Sequence, residues 1–199
     1  MFLTKKHIEK QTDEALILLM GSKKKNLALE ELYKRYSKRI LGYFVNMFQG
    51  DVQKAQDFTQ DVFIRLSEKH HQFNPDYKLY TWIFTIASNI GKSSFRNKVI
   101  HVDFSQTNVA ENQAVTLDHE LFKRQLKKAI ENLEPHHREI YILRYLEELT
   151  VQAISDVTNT PLGPVKSRLF YANKIIVEQL KEFNPKKESY GKKSKSEIK

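Results

Sequence analysis

The chain has 199 residues, 33 Lys and Arg against 24 Asp and Glu, a formal net charge of +9 and no cysteine. That length suits one or two small domains, and zero Cys excludes disulfide scaffolds, Cys-ligated zinc, iron–sulfur clusters and thiol nucleophiles. The longest wholly apolar run, Ala15 to Met20, is too short for a membrane span or a signal h-region, so a cytoplasmic protein without direct membrane insertion is expected.

Every ordered segment reads as helix. Over 26–49, Leu29, Leu32, Tyr33, Tyr36, Ile40, Phe44 and Phe48 recur at three and four, which places them on one helical face. Gly50–Asp51 interrupts the pattern, with Asp51 suited to cap the next helix, 52–72, whose apolar face is Val52, Ala55, Val62, Phe63 and Leu66. Asn74–Pro75 ends that helix, and another over 79–98 carries Leu79, Trp82, Ile83, Ile86, Ala87 and Ile90. Further on, Leu121, Phe122, Leu126, Ala129, Ile130 and Leu133 make an amphipathic face that stops near Pro135. Ile140 to Leu149 follows, then a short helix from Thr150, a turn at Asn159–Thr160–Pro161, and a last helix from Pro164 to Phe183. No useful stretch alternates with period two, and the expected fold class is all-α.

Charge divides the chain more sharply than its sum suggests. Residues 1–99 carry +7, residues 100–118 carry −3 with no Lys or Arg, residues 119–183 carry +1, and the tail 184–199 carries +4. The 100–118 stretch is polar and aperiodic and reads as an acidic flexible linker. The Lys/Ser-rich tail reads as a disordered basic arm. Two small helical domains, 1–99 and 119–183, joined by that linker are expected.

Three constellations bear on chemistry. From Tyr77 to Val102 there is no Asp or Glu, while Lys78, Lys92, Arg96 and Lys98 are interleaved with Tyr77, Tyr80, Trp82, Phe84 and Phe95. Cations neutralise phosphates, no carboxylate repels them, and aromatic faces stack on unpaired bases. Thr85, Asn89, Lys92 and Arg96 fall on one helical stripe, and the Asn89 amide suits a base edge. A solvated face over core aromatics is the competing reading, and it holds for Phe84 and Phe95. The second constellation is Asp57, Gln60 and Asp61 with Glu68 on one polar face; it is either a solvated surface or a docking face for a basic helix. The third is a helix–turn–helix in which Val165, Leu169, Ala172, Ile176 and Leu180 form the inner stripe. Lys166, Ser167, Phe170, Tyr171 and Lys174 lie off that stripe, where a recognition helix presents side chains to the major groove. The same geometry also serves as plain packing. The adjacent pairs His70–His71 and His136–His137, the latter flanked by Glu134 and Glu139, lack the i,i+4 spacing of helical metal ligands, so no metal is expected.

The segments AQDFTQDVFIRL and FNPDYKLYTWIFTIASNIGKSSFR resemble region 2 of bacterial sigma factors. The segment LEPHHREIYILRYLEELTVQAISDVTNTPLGPVKSRLFYANKII resembles their region 4, and the short intervening linker matches the extracytoplasmic-function group. The resemblance spans residues 8–182. It implies that Asp57, Gln60 and Asp61 dock on the clamp helices of the largest subunit of core RNA polymerase. It implies that Trp82, Asn89 and Arg96 engage the −10 element as a melted strand, with Arg65 near a flipped base and Asn74 to Lys78 shaping its pocket; Tyr80 and Lys92 belong to the same surface. It implies that Arg144, Lys166, Ser167, Phe170, Tyr171 and Lys174 meet the −35 duplex, that the flap of the second-largest subunit is a further contact, and that an anti-sigma factor binds the chain. No catalytic residue and no cofactor are expected. Ser93 stands where the family commonly has Asp, Val151-Gln152-Ala153-Ile154-Ser155 replaces the usual Glu-Glu-Ile-Ala, and Gly163-Pro164-Val165 replaces Gly-Thr-Val. Two other classes stay in view: a helix–turn–helix regulator that binds duplex DNA without polymerase, and a helical metal-dependent hydrolase built on the His/Glu cluster.

Overall fold

A computed structural model of the chain describes residues 5–97 and 117–183. The expected linker over 100–118 falls outside them except for Leu117 and Asp118, which open a helix, and the tail from Asn184 falls outside as well. All regular structure among the described residues is helical. The order is α1 (Lys5–Ile8), α2 (Asp13–Leu19), α3 (Lys25–Met47), α4 (Val52–Lys69), a 3-10 turn at His70–Gln72, α5 (Leu79–Asn97), α6 (Leu117–Glu131), α7 (Pro135–Tyr145), α8 (Val151–Thr158) and α9 (Leu162–Gln179), ending in a 3-10 turn at Lys181–Phe183.

The long helix α3 organises the N-terminal group. Its Ala28, Leu32, Tyr36, Ile40, Tyr43, Phe44 and Met47 are buried, a stripe at the helical repeat. Helices α2, α4 and α5 all pack against it. Asp51 caps α4 by accepting the Lys54 N–H, as its position after Gly50 predicts. The turn before it places Gln49 at φ 55° and Gly50 at φ 90°, a left-handed bend that glycine enters at no steric cost. Phe44, Phe48, Phe58 and Phe95 form a ring cluster with centroids 5.1–6.1 Å apart. Phe84 is fully buried and Phe95 stacks on Phe48, so both serve the core as expected.

Helices α1 and α2 are additional to the sequence reading. Thr12 caps α2 by accepting the Ala15 N–H, and Leu16, Ile17 and Met20 are buried. Arg35 ties this segment to α3, donating to Asp13 at 2.7 Å and to the carbonyls of Glu9 and Gln11.

In the C-terminal group α8 and α9 form the helix–turn–helix. Thr150 caps α8 through the Ala153 N–H, and Asn159 closes it in the left-handed region at φ 47°. The last helix starts at Leu162, two residues before Pro164, which falls in the first turn where a missing N–H breaks no helical bond. Leu121 is 45 % exposed and falls off the inner face of α6, which Phe122 opens with its ring against Phe183.

The two groups do not stand apart. Helix α5 lies against α8, and α3 lies against α6 and α7, so one continuous core runs through both.

Candidate nucleic-acid and polymerase interface

Helix α4 packs Ala55, Thr59, Val62, Phe63 and Leu66 inward, so Asp57, Gln60, Asp61, Ile64, Arg65 and Glu68 face solvent as one stripe. Ile64 is 54 % exposed at its centre, an apolar residue ringed by acids and an amide. A carboxylate-rimmed stripe with an apolar centre suits a basic partner helix better than catalysis, because no general acid or metal ligand set converges on it.

Helix α5 presents the acid-free surface. Asn89 and Arg96 are exposed, Lys78 and Tyr77 are exposed on the approach to the helix, and Thr85 is half-buried. Trp82 is half-buried, its ring 5.4 Å from Phe73. Two other members of this set are engaged within the chain. Tyr80 donates its hydroxyl to Glu147 Oε2 at 2.7 Å, and burial together with that carboxylate pushes its phenol pKa up. Lys92 donates its ammonium to the Thr158 carbonyl at the C-terminal end of α8.

On α9, Lys166, Ser167, Phe170, Tyr171 and Lys174 are all exposed, while Val165, Ala172 and Ile176 point inward. Phe170 is 65 % and Tyr171 53 % exposed, with their rings 5.5 Å apart. Arg144 is half-buried and donates to the Leu149 carbonyl, which holds the α7–α8 corner together.

One cluster weighed in the sequence is brought together by the fold, and one feature escaped the sequence reading. Glu134, His136 and His137 bring one ligand atom each within 4.8 Å of one another, although the two histidines are adjacent. They meet at the start of α7, where Glu134 is the N-cap residue and His136 and His137 lie in the first turn. A helix N-terminus disfavours a cation, and Arg168 adds positive charge beside His137, whose pKa is lowered chiefly by burial. The feature that escaped is a buried polar seam between the two groups of helices. Glu139 accepts from Tyr43 Oη at 3.2 Å and Ser88 Oγ at 2.5 Å. Glu147 accepts from Arg39 Nε at 3.1 Å as well as from Tyr80. Arg138 donates to Met47 of α3 and to Ile130, Glu131 and Leu133 around the end of α6. Gln49 donates to the Glu131 carbonyl. The signal for this seam is the inner face of α7: Arg138 and Glu139 fall on the same side as Ile142 and Leu143, so two charges share an apolar stripe.

The family model of Sigma-70 region 2 matches residues 32–99, and that of Sigma-70 region 4 matches residues 123–174. The RNA polymerase sigma-H factor of Pseudomonas aeruginosa is 28% identical over 167 residues, covering 77% of this chain and 86% of that protein. The ECF RNA polymerase sigma factor SigW of Bacillus subtilis is 24% identical over 148 residues, covering 67% of this chain and 79% of that protein. Among solved structures, the sigma factor RpoE in complex with the anti-sigma factor NepR from Bartonella quintana superposes with a TM-score of 0.64 at 21% identity, covering 76% of this chain and 96% of that one. CnrH in complex with the cytosolic domain of CnrY gives the same TM-score at 18% identity, covering 86% of this chain and 99% of that one. These two likenesses concern the fold.

Proposed function

The chain belongs to the sigma-70 family, in its extracytoplasmic-function group, and from that premise we propose how its residues share the work of a promoter-specificity subunit. A sigma factor binds core RNA polymerase and directs promoter recognition and melting, while the polymerase performs the chemistry. The chain therefore needs no catalytic residue and no cofactor of its own. Its place is the cytoplasm, beside its polymerase; among the described residues no helix is long and apolar enough to cross a membrane.

One observation carries the division of labour. The acidic stripe of α4 and the acid-free stripe of α5 are both exposed on the same group of helices, with opposite electrostatic character. Asp57, Gln60 and Asp61 dock on the clamp helices of the largest subunit. Asn89 and Arg96, with Trp82, Arg65, Lys78, Tyr80 and Lys92, receive the melted −10 strand. Unstacking a base costs a few kcal/mol, which an aromatic wall and cationic contacts offset. Lys166, Ser167, Phe170, Tyr171 and Lys174 on α9, with Arg144 behind them, meet the −35 duplex, and the flap of the second-largest subunit holds this domain in place. The functional bounds are 1–99 for polymerase and −10 contact and 119–183 for −35 contact, with the acidic linker and basic tail outside them. The sigma factor RpoE named above is solved in complex with the anti-sigma factor NepR, and a partner of that class, covering the polymerase- and DNA-binding faces, is proposed here.

The test is transcription in vitro with core polymerase on a promoter library. Asn89→Ala should reduce open-complex formation at least tenfold, the loss of one good base contact, about 1.4 kcal/mol or more, while leaving core affinity unchanged. Unimpaired melting would remove Asn89 from the strand-capturing surface. A gel shift with and without core enzyme separates this reading from a self-sufficient helix–turn–helix regulator, which would bind duplex DNA tightly alone.

A further inference from the structure

We propose that α9 reads its −35 element through the C5-methyl groups of thymine, with Phe170 and Tyr171 as the reading side chains. The proposal rests on the placement of α9 against the −35 duplex, and it names the base chemistry that helix selects. In the major groove each base pair shows a different set of groups. Guanine and adenine are gripped by the two-pronged ends of Arg, Asn or Gln or by Lys, cytosine by a carboxylate, and thymine presents a methyl. The guanidinium, amides and carboxylate of α9 are engaged within the chain. Arg168 is half-buried, and its charge acts on His137 of α7 and on the buried Glu139. Asn173 donates its amide to Tyr145 Oη at 2.8 Å. Gln179, at the far end of the helix, accepts from Asn132 at 3.4 Å, and Glu178 pairs with Lys181.

What remains outward along the reading face is the ring pair, the Ser167 hydroxyl and the ammonium groups of Lys166 and Lys174. The Phe170 and Tyr171 rings meet edge to face, with centroids 5.5 Å apart, so they form one apolar surface. Helical side chains lean toward the N-terminus of their helix, which carries this pair over the turn before it. That turn holds the small Ser167, and nothing lies within 4 Å of where a side chain on Gly163 would start. The rings therefore stand proud of the helix. Lys166 lies one turn before them and Lys174 one turn after, spaced to hold phosphates on either side. Apolar contact between Phe and the thymine methyl is one of the recurrent base contacts of the major groove. The same rings set against guanine or cytosine would cover polar edge atoms without offering them a partner, and that penalty rejects the wrong base.

The test uses the full chain bound to core polymerase and a duplex library randomised over the −35 region. Selection should enrich T·A pairs there. The selected duplex is then made with deoxyuridine in place of thymidine through that window, which removes the methyls and leaves O4 and the pairing edge intact. Affinity should fall about fourfold for each methyl contacted, the effect of one buried carbon. The combined substitution Phe170→Ala with Tyr171→Ala removes exposed side chains, and circular dichroism checks its fold. It should bind the thymidine and deoxyuridine duplexes alike and keep its affinity for core polymerase. Equal affinity of the wild-type complex for the two duplexes overturns methyl readout and leaves α9 on the −35 element. A deoxyuridine penalty that survives the combined substitution overturns the assignment of Phe170 and Tyr171. A library with no preference anywhere in the −35 region overturns the placement of α9 on which the proposal depends.

Discussion

Arg138 shows how much of this structure hangs on single charged side chains. Its guanidinium is buried and donates to four main-chain carbonyls, those of Ile130, Glu131, Leu133 and Met47. Replacement by Met keeps the aliphatic stem but leaves those acceptors unpaired in a dry site. Hydrogen bonds to charged groups are worth more than neutral ones, so Arg138→Met should cost about 3 kcal/mol, read as a lowered urea midpoint. Asp61 is the opposite case. It is exposed on α4, and its carboxylate makes no hydrogen bond or ion pair among the described residues, so Asp61→Arg should leave the melting temperature nearly unchanged. The same substitution reverses charge on the docking face and should weaken association with core polymerase, measured by competition against the wild-type chain.

At the scale of elements, the helices were legible wherever a long apolar stripe met a cap. Helices α3, α4 and α5 follow from period and punctuation, and Asp51 and Thr150 cap where their positions predict. Thr150→Ala should remove about 1 kcal/mol of stability, seen as a lower thermal midpoint. Helix α2 was not legible because its seven residues include a nearly continuous apolar run, which shows no periodicity of its own. It becomes a helix only because Arg35 and the core of α3 give it somewhere to pack. The exposed residues of α4 and α9 were readable from position off the apolar stripe. The seam was not, because hydrogen bonds such as Tyr43–Glu139 join residues 96 apart and leave no local pattern. Tyr80 and Lys92 illustrate the cost of that blindness: composition identifies them as solvent-facing, and the fold turns both toward the second group of helices.

Across the whole molecule, the burial of Glu139 between the two groups of helices predicts a pH dependence of their packing. Burial pushes its carboxyl pKa up from the ordinary value, opposed by Lys92, by the hydrogen bonds from Ser88 and Tyr43, and by Arg168. A carboxyl whose pKa is raised by burial in the folded chain favours that packing most when protonated, and the contribution is lost as pH rises through its elevated range. The packing between the two groups of helices should therefore loosen as pH rises above the ordinary carboxylate range, seen as a falling urea midpoint of the wild-type chain. Glu139→Gln, which keeps an acceptor for Tyr43 and Ser88 and a similar shape without a titrating charge, should flatten that response. His137 titrates in the neighbourhood with a lowered pKa, so the slope that vanishes in Glu139→Gln is the part belonging to the carboxylate.

The sequence separation across the seam also sets an order of events during synthesis. Arg39 and Glu147 are 108 positions apart and Ser88 and Glu139 are 51 apart. Ribosomes release chains from the N-terminus, and domains fold as they emerge. The first five helices therefore complete their aromatic core while Tyr43, Ser88 and Arg39 still hydrogen-bond to water. That nascent unit carries both its acidic and its acid-free stripe before any partner for Lys92 exists. For the seconds until α7 and α8 appear, at translation rates of about 5–20 residues per second, each new molecule is open, and its first choice is between its own second half and whatever polymerase or DNA lies nearby.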